Sequence, residues 1–220
     1  MDKIFQIAID GPSGAGKSTI AKNLAELLKI DYIDTGAMYR AVGYKLKRDN
    51  IDMYDKEALA YLLDNTLIDF SKGNTLLDGE IVNDRIRTPE ISMMASECSA
   101  IYEVRKKLVE LQQNMGKEKS VVMDGRDIGT VVFPNAKYKF YINASDEERA
   151  RRRYVELIEK GQDTTFEEVL NDMRQRDYND TTREVTPLRK ADDAIEIDTT
   201  NMSIAEVIEY ILKEVKKWQQ

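Results

Sequence analysis

Gly11-Pro12-Ser13-Gly14-Ala15-Gly16-Lys17-Ser18 is the stretch that decides the fold. It fits the pattern G-x-x-x-x-G-K-[ST], in which glycines let a loop curl until successive backbone N–H groups face an anion. Before it, Ile4 to Ile9 is a short β-branched and aromatic run, read as a strand that turns at Asp10-Gly11-Pro12. After it, Ser18 to Leu28 carries Ile20, Leu24, Leu27 and Leu28 at helical spacing. Strand, loop and helix in that order are the context the pattern requires. The helix adds free N-terminal N–H groups and the positive end of its dipole. The octet and Thr19 are therefore expected to cradle a polyphosphate, with Lys17 on its outer phosphates and the Ser18 hydroxyl offered to a divalent cation. A ligand-free glycine turn would need neither Gly-Lys-Ser nor so many small residues.

Further along, strands and helices alternate. Tyr32-Ile33-Asp34 reads as a strand closed by Thr35-Gly36, and Ala37 to Leu46 as a helix. Asp55 can cap a helix holding Ala58, Leu59, Leu62 and Leu63. From about Asn65 to Asn83 short β runs are joined by Ser-Lys-Gly-Asn and Asp78-Gly79, which reads as a small antiparallel excursion. Thr88-Pro89 opens a helix that runs to about Met115-Gly116 with a break near Ser99. Ser120–Asp124 and Tyr138–Ile142 read as strands. Ser145-Asp-Glu-Glu148 and Thr165-Phe-Glu-Glu168 read as capping boxes, the first opening a helix over Arg149–Lys160. Ala194–Ile197 is a last strand, and Ser203-Ile-Ala-Glu206 caps an amphipathic helix ending near Trp218. The pattern predicts an α/β fold, a mainly parallel sheet with helices on both faces and a small antiparallel β insert.

Composition narrows the chemistry. The chain has 220 residues, no histidine and one cysteine, Cys98. Histidine-dependent nucleophilic triads and His/Cys zinc sites are therefore excluded, and a bound metal must take oxygen ligands, which favours Mg²⁺ or Ca²⁺. A lone cysteine forms no internal disulfide, no apolar run reaches the ~18 residues of a membrane span, and the N-terminus lacks a signal-peptide layout. A cytoplasmic protein is expected. Net charge is −7, which argues against a grip on long nucleic acid but leaves small anions open to a local arginine cluster.

The octet alone leaves the reaction open. A guanine-reading Asn-Lys-x-Asp is absent, and the strand ending at Asp124 is followed by Gly125 where an ATP-driven machine would place a water-activating glutamate. Transfer to a bound acceptor is favoured over hydrolysis. Asp34-Thr35-Gly36-Ala37-Met38-Tyr39-Arg40 and Asp124-Gly125-Arg126-Asp127-Ile128-Gly129-Thr130 lie where strands hand over to helices, the edge at which open α/β sheets bind ligands. Arg176, Asp180 and Arg183 fall at i, i+4 and i+7, one helical stripe. Arg149, Arg152 and Arg153 share another face, where like charges repel unless an anion lies among them. Such an arm could close over a transferring group; an exposed helix face is the plainer reading.

These segments resemble the bacterial cytidylate (CMP) kinases among the nucleoside monophosphate kinases. The resemblance runs nearly end to end, through Gly11–Thr19, Asp34–Arg40, Asp124–Pro134 (Asp-Gly-Arg-Asp-Ile-Gly-Thr-Val-Val-Phe-Pro) and Thr186-Pro-Leu-Arg-Lys-Ala-Asp192. It implies one P-loop kinase domain over 1–220: a core at 1–40 and 116–220, a monophosphate-binding region with the β insert at about 41–115, and a short lid at about 149–165. It implies Mg²⁺-dependent transfer of the γ-phosphoryl group of ATP to CMP or dCMP by a monomer. Arg40 and Arg126 would hold the acceptor phosphate, Thr35, Arg105, Asp127 and Arg183 would surround the base, and Ser96, Arg176 and Asp180 would take the sugar. Lys17, Arg126 and the lid arginines Arg149, Arg152 and Arg153 would offset charge on the transferring group. Ser18 and Asp124 would hold Mg²⁺, Asp124 through water. A kinase for UMP or AMP, or a protein that senses ATP without turnover, are the alternatives. Ser96 and Arg105 lie nine residues apart, on opposite faces of an unbroken helix, so sharing a site requires a bend between them.

Overall fold

The computed structural model describes residues 4–71 and 73–217. Two compact units divide it, one formed by residues up to 32 together with those from 116 onward, the other by 33–115.

The first unit starts with β1 (Gln6–Asp10) and α1 (Lys17–Leu28), and β2 (Asp31–Asp34) follows across its boundary. In the second unit α2 (Thr35–Arg48) and α3 (Lys56–Asp64) precede a three-stranded antiparallel sheet of β3 (Ile68–Ser71), β4 (Asn74–Leu77) and β5 (Glu80–Ile81). Then come α4 (Pro89–Cys98) and α5 (Tyr102–Glu118), whose end re-enters the first unit. The chain goes on through β6 (Val121–Gly125), a π-helical turn at Ile128–Val132, β7 (Tyr138–Asn143), α6 (Asp146–Glu159), α7 (Phe166–Thr182), β8 (Ile195–Asp198) and α8 (Ile204–Lys217).

The large sheet has the order β2-β6-β1-β7-β8, and β1 pairs in parallel with both β6 and β7. Its register sets Asp10 beside Gly125, so the glycine loop after β1 and the Arg126 turn after β6 leave the same sheet edge. Side chains alternate across a strand: Ile7 and Ile9 of β1, Val122 of β6 and Phe140 and Ile142 of β7 pack against Ile20, Leu24, Val207 and Ile211 of α1 and α8. Fully burying each such side chain is worth ~1.5–3 kcal/mol relative to exposure, which fixes the strand ends that carry the polar loops. A second apolar seam, Ala150 with Val169 and Met173, joins α6 to α7.

The β insert follows its turn chemistry. Asp78 and Gly79 both adopt positive φ, 52° and 87°, as a tight hairpin between β4 and β5 demands. The Thr88 hydroxyl accepts from the Ile91 N–H with Pro89 at the first helical position. The expected break is present: α4 stops at Cys98 and α5 begins at Tyr102.

Four expectations are corrected. Thr35-Gly36 is not a closing turn, because the Asp34 carboxylate accepts from the Ala37 N–H and starts α2 at Thr35. The helix assigned to Arg149–Lys160 begins at Asp146, and its capping box is half made. The Ser145 hydroxyl accepts from the Glu148 N–H, but the Glu148 carboxylate goes to Arg151 and Arg152. Arg183 is not on the α7 stripe, since the helix ends at Thr182 and Arg183 turns into extended backbone at ψ 142°. The end near Trp218 falls outside the described residues, α8 being described to Lys217.

Candidate functional site

In the first unit, the loop 11–16 curls where only glycine fits. Gly11 has φ +149°, and a Cβ there would stand 1.9 Å from the Ile142 carbonyl oxygen. Gly14 has φ +71°, and its Cβ would lie 2.7 Å from Met173 Cε. The loop feeds α1 through Gly16, and no side chain caps that helix, which leaves its first N–H groups to an anion. Pro12 and Ala15 are buried, Ser13 and Gly16 half-buried, and Ser18 and Thr19 exposed.

Lys17 is buried, and its Nζ donates to the Pro12 carbonyl at 2.6 Å. Burial and the nearby Arg126 push its ammonium down to about 7, against the pull of Asp124, Asp180 and Asp10. One turn on, the Ser18 hydroxyl donates to Asp124 Oδ2 at 2.8 Å, and Tyr32 donates to Asp124 Oδ1 at 2.8 Å. Hydroxyl and carboxylate thus meet at the end of β6, beside the start of α1.

Asp10, read from sequence only as the start of a turn, is the last residue of β1 and proves to be an anchor. Its two oxygens accept from the Ile128 and Gly129 N–H groups at 2.8 and 2.7 Å, fixing the turn after Arg126 and Asp127. Burial pushes its carboxyl up to about 7, although those N–H groups and Lys17 pull the other way. Asp127 itself is buried.

Arg126 donates through Nε to Asp180 Oδ2 at 2.7 Å, and Arg183 stands 3.4 Å from Asp180 Oδ1. Burial alone would raise the Asp180 carboxyl, but Arg126, Arg183 and Arg176 hold it below its ordinary value. Likewise, burial opposes the Arg126 charge, and Asp180, Asp177 and Asp124 more than restore it. The structure thus joins Arg126, Asp180 and Arg183 in one network, with half-buried Arg176 within electrostatic reach of its carboxylate.

The three α6 arginines have separate surroundings. Arg149 is buried and bonded to the Ala144 and Ser13 carbonyls, Asp146 and Asp177. Arg152 holds Glu148 and the Thr199 carbonyl, and Arg153 holds Glu156. Carboxylates of the chain itself lie among these charges, so mutual repulsion does not require a ligand here.

In the second unit, Thr35 is buried in the first turn of α2, and Arg40 pairs with Asp34 at 3.0 Å. Arg40 Nε is buried with no hydrogen-bond partner among the described residues, a donor available to an anion. The chain bends between α4 and α5, and hydrogen bonds hold the bend. The Ser99 hydroxyl donates to the Ser96 carbonyl at 2.8 Å, and Arg105 NH1 donates to the Ser99 carbonyl at 3.0 Å. Arg105 is buried, its guanidinium 5.3 Å from the centre of the Tyr39 ring. Cys98 is buried beneath them, and burial pushes its thiol up to about 12, so it is an inert packing group.

Among the described residues no helix is long and apolar enough to cross a membrane, and no cluster of three or more carboxylate or thiol groups forms a metal cage. Sequence reasoning missed Asp10, Tyr32 and Asp177 as site residues, and it named Ser99 only as the place of a bend. Of the three, Asp177 left a trace, since Met173, Asp177 and Asp180 share a helical face.

Residues 7–217 match the family described as cytidylate kinase. A cytidylate kinase of Clostridioides difficile is 51% identical over 209 residues, covering 95% of this chain and 97% of the relative. One from Caldicellulosiruptor saccharolyticus is 52% identical over 215 residues, covering 96% and 95%. Among solved structures, an uncharacterized protein from Eubacterium ventriosum superposes with a TM-score of 0.54 at 17% identity, covering 98% of this chain and 99% of that one. TT1252 from Thermus thermophilus gives 0.51 at 18%, covering 98% of each chain. These two structures share the fold.

Proposed function

The chain belongs to the cytidylate kinase family, and on that premise we propose that it transfers the γ-phosphoryl group of ATP to CMP or dCMP. An acceptor phosphate oxygen attacks the γ-phosphorus, the bond from that phosphorus to the β,γ-bridging oxygen breaks, and CDP or dCDP forms as ADP leaves. The observation that carries the reading is the buried Lys17 at an uncapped helix start, joined to a family match over residues 7–217.

Such a reaction needs placement and charge neutralisation more than a general base, because the attacking phosphate is already anionic. The loop 11–19 receives the ATP phosphates on its N–H groups, and Lys17 regains its full charge beside them. Arg40, with its unused Nε, and Arg126 hold the acceptor phosphate. Arg152 and Arg153, together with buried Arg149, offset charge near the transferring group from the lid at about 149–165.

Ser18 and Asp124 present a hydroxyl and a carboxylate, hard oxygen donors of the type Mg²⁺ takes, so these residues fit the ion. Bound there with ATP, Mg²⁺ supplies neutralisation of the phosphate oxygens.

Selectivity follows from hydrogen-bond polarity. Asp127 accepts from the cytosine amine, while Arg105, Thr35 and Arg183 serve the other edges of the base. Uracil would turn a carbonyl oxygen toward the carboxylate, which sites built on hydrogen bonds reject by up to ~10⁴–10⁵-fold. Ser96, Arg176 and Asp180 take the sugar. The reading implies a cytoplasmic monomer that acts on free nucleotides rather than on nucleic acid. A comparison of kcat/KM for CMP, dCMP, UMP and AMP tests it. CMP or dCMP is expected to lead, and a preference for AMP would overturn the assignment.

A further inference from the structure

We propose that Asp177 is a positioning residue for the donor loop: with Arg149 it closes a ring of hydrogen bonds around Ser13 and holds the loop ready for a polyphosphate. The inference rests on the kinase reading and assigns a role to a carboxylate whose bonds go to Ser13 and Arg149.

The Ser13 N–H donates to Asp177 Oδ1 at 3.0 Å. Arg149 NH1 donates to Asp177 Oδ2 at 2.5 Å and to the Ser13 carbonyl at 2.7 Å. Both backbone polar groups of Ser13 are thus held by one ion pair, and the ring closes through the carboxylate. Arg149 is fixed in turn by the Ala144 carbonyl at 3.1 Å and by Asp146. One turn before Asp177 on α7, Met173 lies against Gly14 so tightly that a Cβ would meet it at 2.7 Å. Three residues later, Asp180 holds Arg126. One face of α7 therefore touches the loop twice and the Arg126 network once.

Charge explains why the clasp is a pair. A lone carboxylate beside a polyphosphate site would repel the ligand, and Arg149 cancels that charge while supplying the second contact. Directional, with the Asp177 charge offset by Arg149 and Asp146 shared between Arg149 and Arg174, the clasp removes loop freedom that ATP binding would otherwise have to remove.

Asp177→Asn tests this. The amide oxygen can still accept from Ser13, but its NH₂ faces the Arg149 donors and the ring opens. Losing a charge-assisted hydrogen bond predicts a rise of about 10- to 100-fold in KM for ATP and in its calorimetric Kd, with KM for CMP within twofold of wild type. Arg149→Lys, which cannot bridge the same four acceptors, should likewise raise KM and Kd for ATP, and the double variant should be no worse in ATP Kd than the weaker single one. Asp177→Glu should recover part of the loss. A lower KM for ATP in Asp177→Asn would mean that only repulsion had been removed, and would overturn the proposal. So would a drop in melting temperature with KM for ATP unmoved. Failure of the wild-type chain to phosphorylate CMP would sink the functional reading instead, and the ATP Kd would still judge the clasp.

Discussion

Replacing Asp180 by Asn keeps its shape and removes the charge that Arg126 and Arg183 share. The contacts are a 2.7 Å charge-assisted bond and a 3.4 Å ion pair, between side chains exposed by 21% (Arg126), 11% (Asp180) and 5% (Arg183). Breaking a fully buried pair costs ~3–5 kcal/mol, and partial exposure of Arg126 brings the expectation to ~2–3 kcal/mol. With a urea m-value of ~2–3 kcal/mol/M, the midpoint should fall by about 1 M at pH 7, read by circular dichroism. The pH dependence has a fixed sign. Asp180 is held below its ordinary value in the fold, so its contribution is present above the unfolded carboxyl value of ~3.9 and fades as pH falls below it. The gap between wild type and Asp180→Asn should therefore be full at pH 7 and shrink below about pH 4. KM for CMP should rise as well, because Arg126 loses its anchor. An unchanged midpoint at pH 7, or a gap undiminished at pH 3, would refute the reasoning.

Lys17→Met should lower kcat by on the order of 10²–10³-fold in the coupled ADP assay. It should also stabilise the ligand-free protein at pH 6, because Lys17 is pushed down to about 7 in the fold. That advantage should close as pH climbs from 7 toward 10.5, where the lysine is neutral in both states. Arg105→Lys should raise KM for CMP about tenfold or more while KM for ATP holds, since lysine cannot reproduce the planar contact over Tyr39 together with the Ser99 bond. Gly11→Ala, which would bring a methyl to 1.9 Å from the Ile142 carbonyl, should lower the melting temperature by about 10 °C or more.

What the sequence disclosed was local. The glycine octet, Thr88-Pro89 and Asp78-Gly79 each dictate a backbone conformation within a few residues, and the structure shows all three. The break near Ser99 was expected because the roles the resemblance implies for Ser96 and Arg105 need a bend between them, and the structure has that bend, with Ser99 bonded to the Ser96 carbonyl and Arg105 to the Ser99 carbonyl. The Thr35-Gly36 turn was misread because Asp34 reads equally as a strand end and as a helix cap, and only its bond to Ala37 decides. The α6 arginines were legible as a charge run but not as bonded groups. Their partners come from distant segments: Asp177 lies 28 residues from Arg149 and 164 from Ser13. No periodicity reports such pairs. Asp10 is similar, its acceptors filled by N–H groups 118 and 119 residues away.

Phosphorus-31 NMR of the purified protein with ATP, Mg²⁺ and CMP tests the central claim most directly. The account predicts that the ATP γ resonance declines as the β resonance of CDP grows in equal amount, with inorganic phosphate absent. Release of inorganic phosphate without CDP would show that water, not the nucleotide, receives the group, and would contradict it.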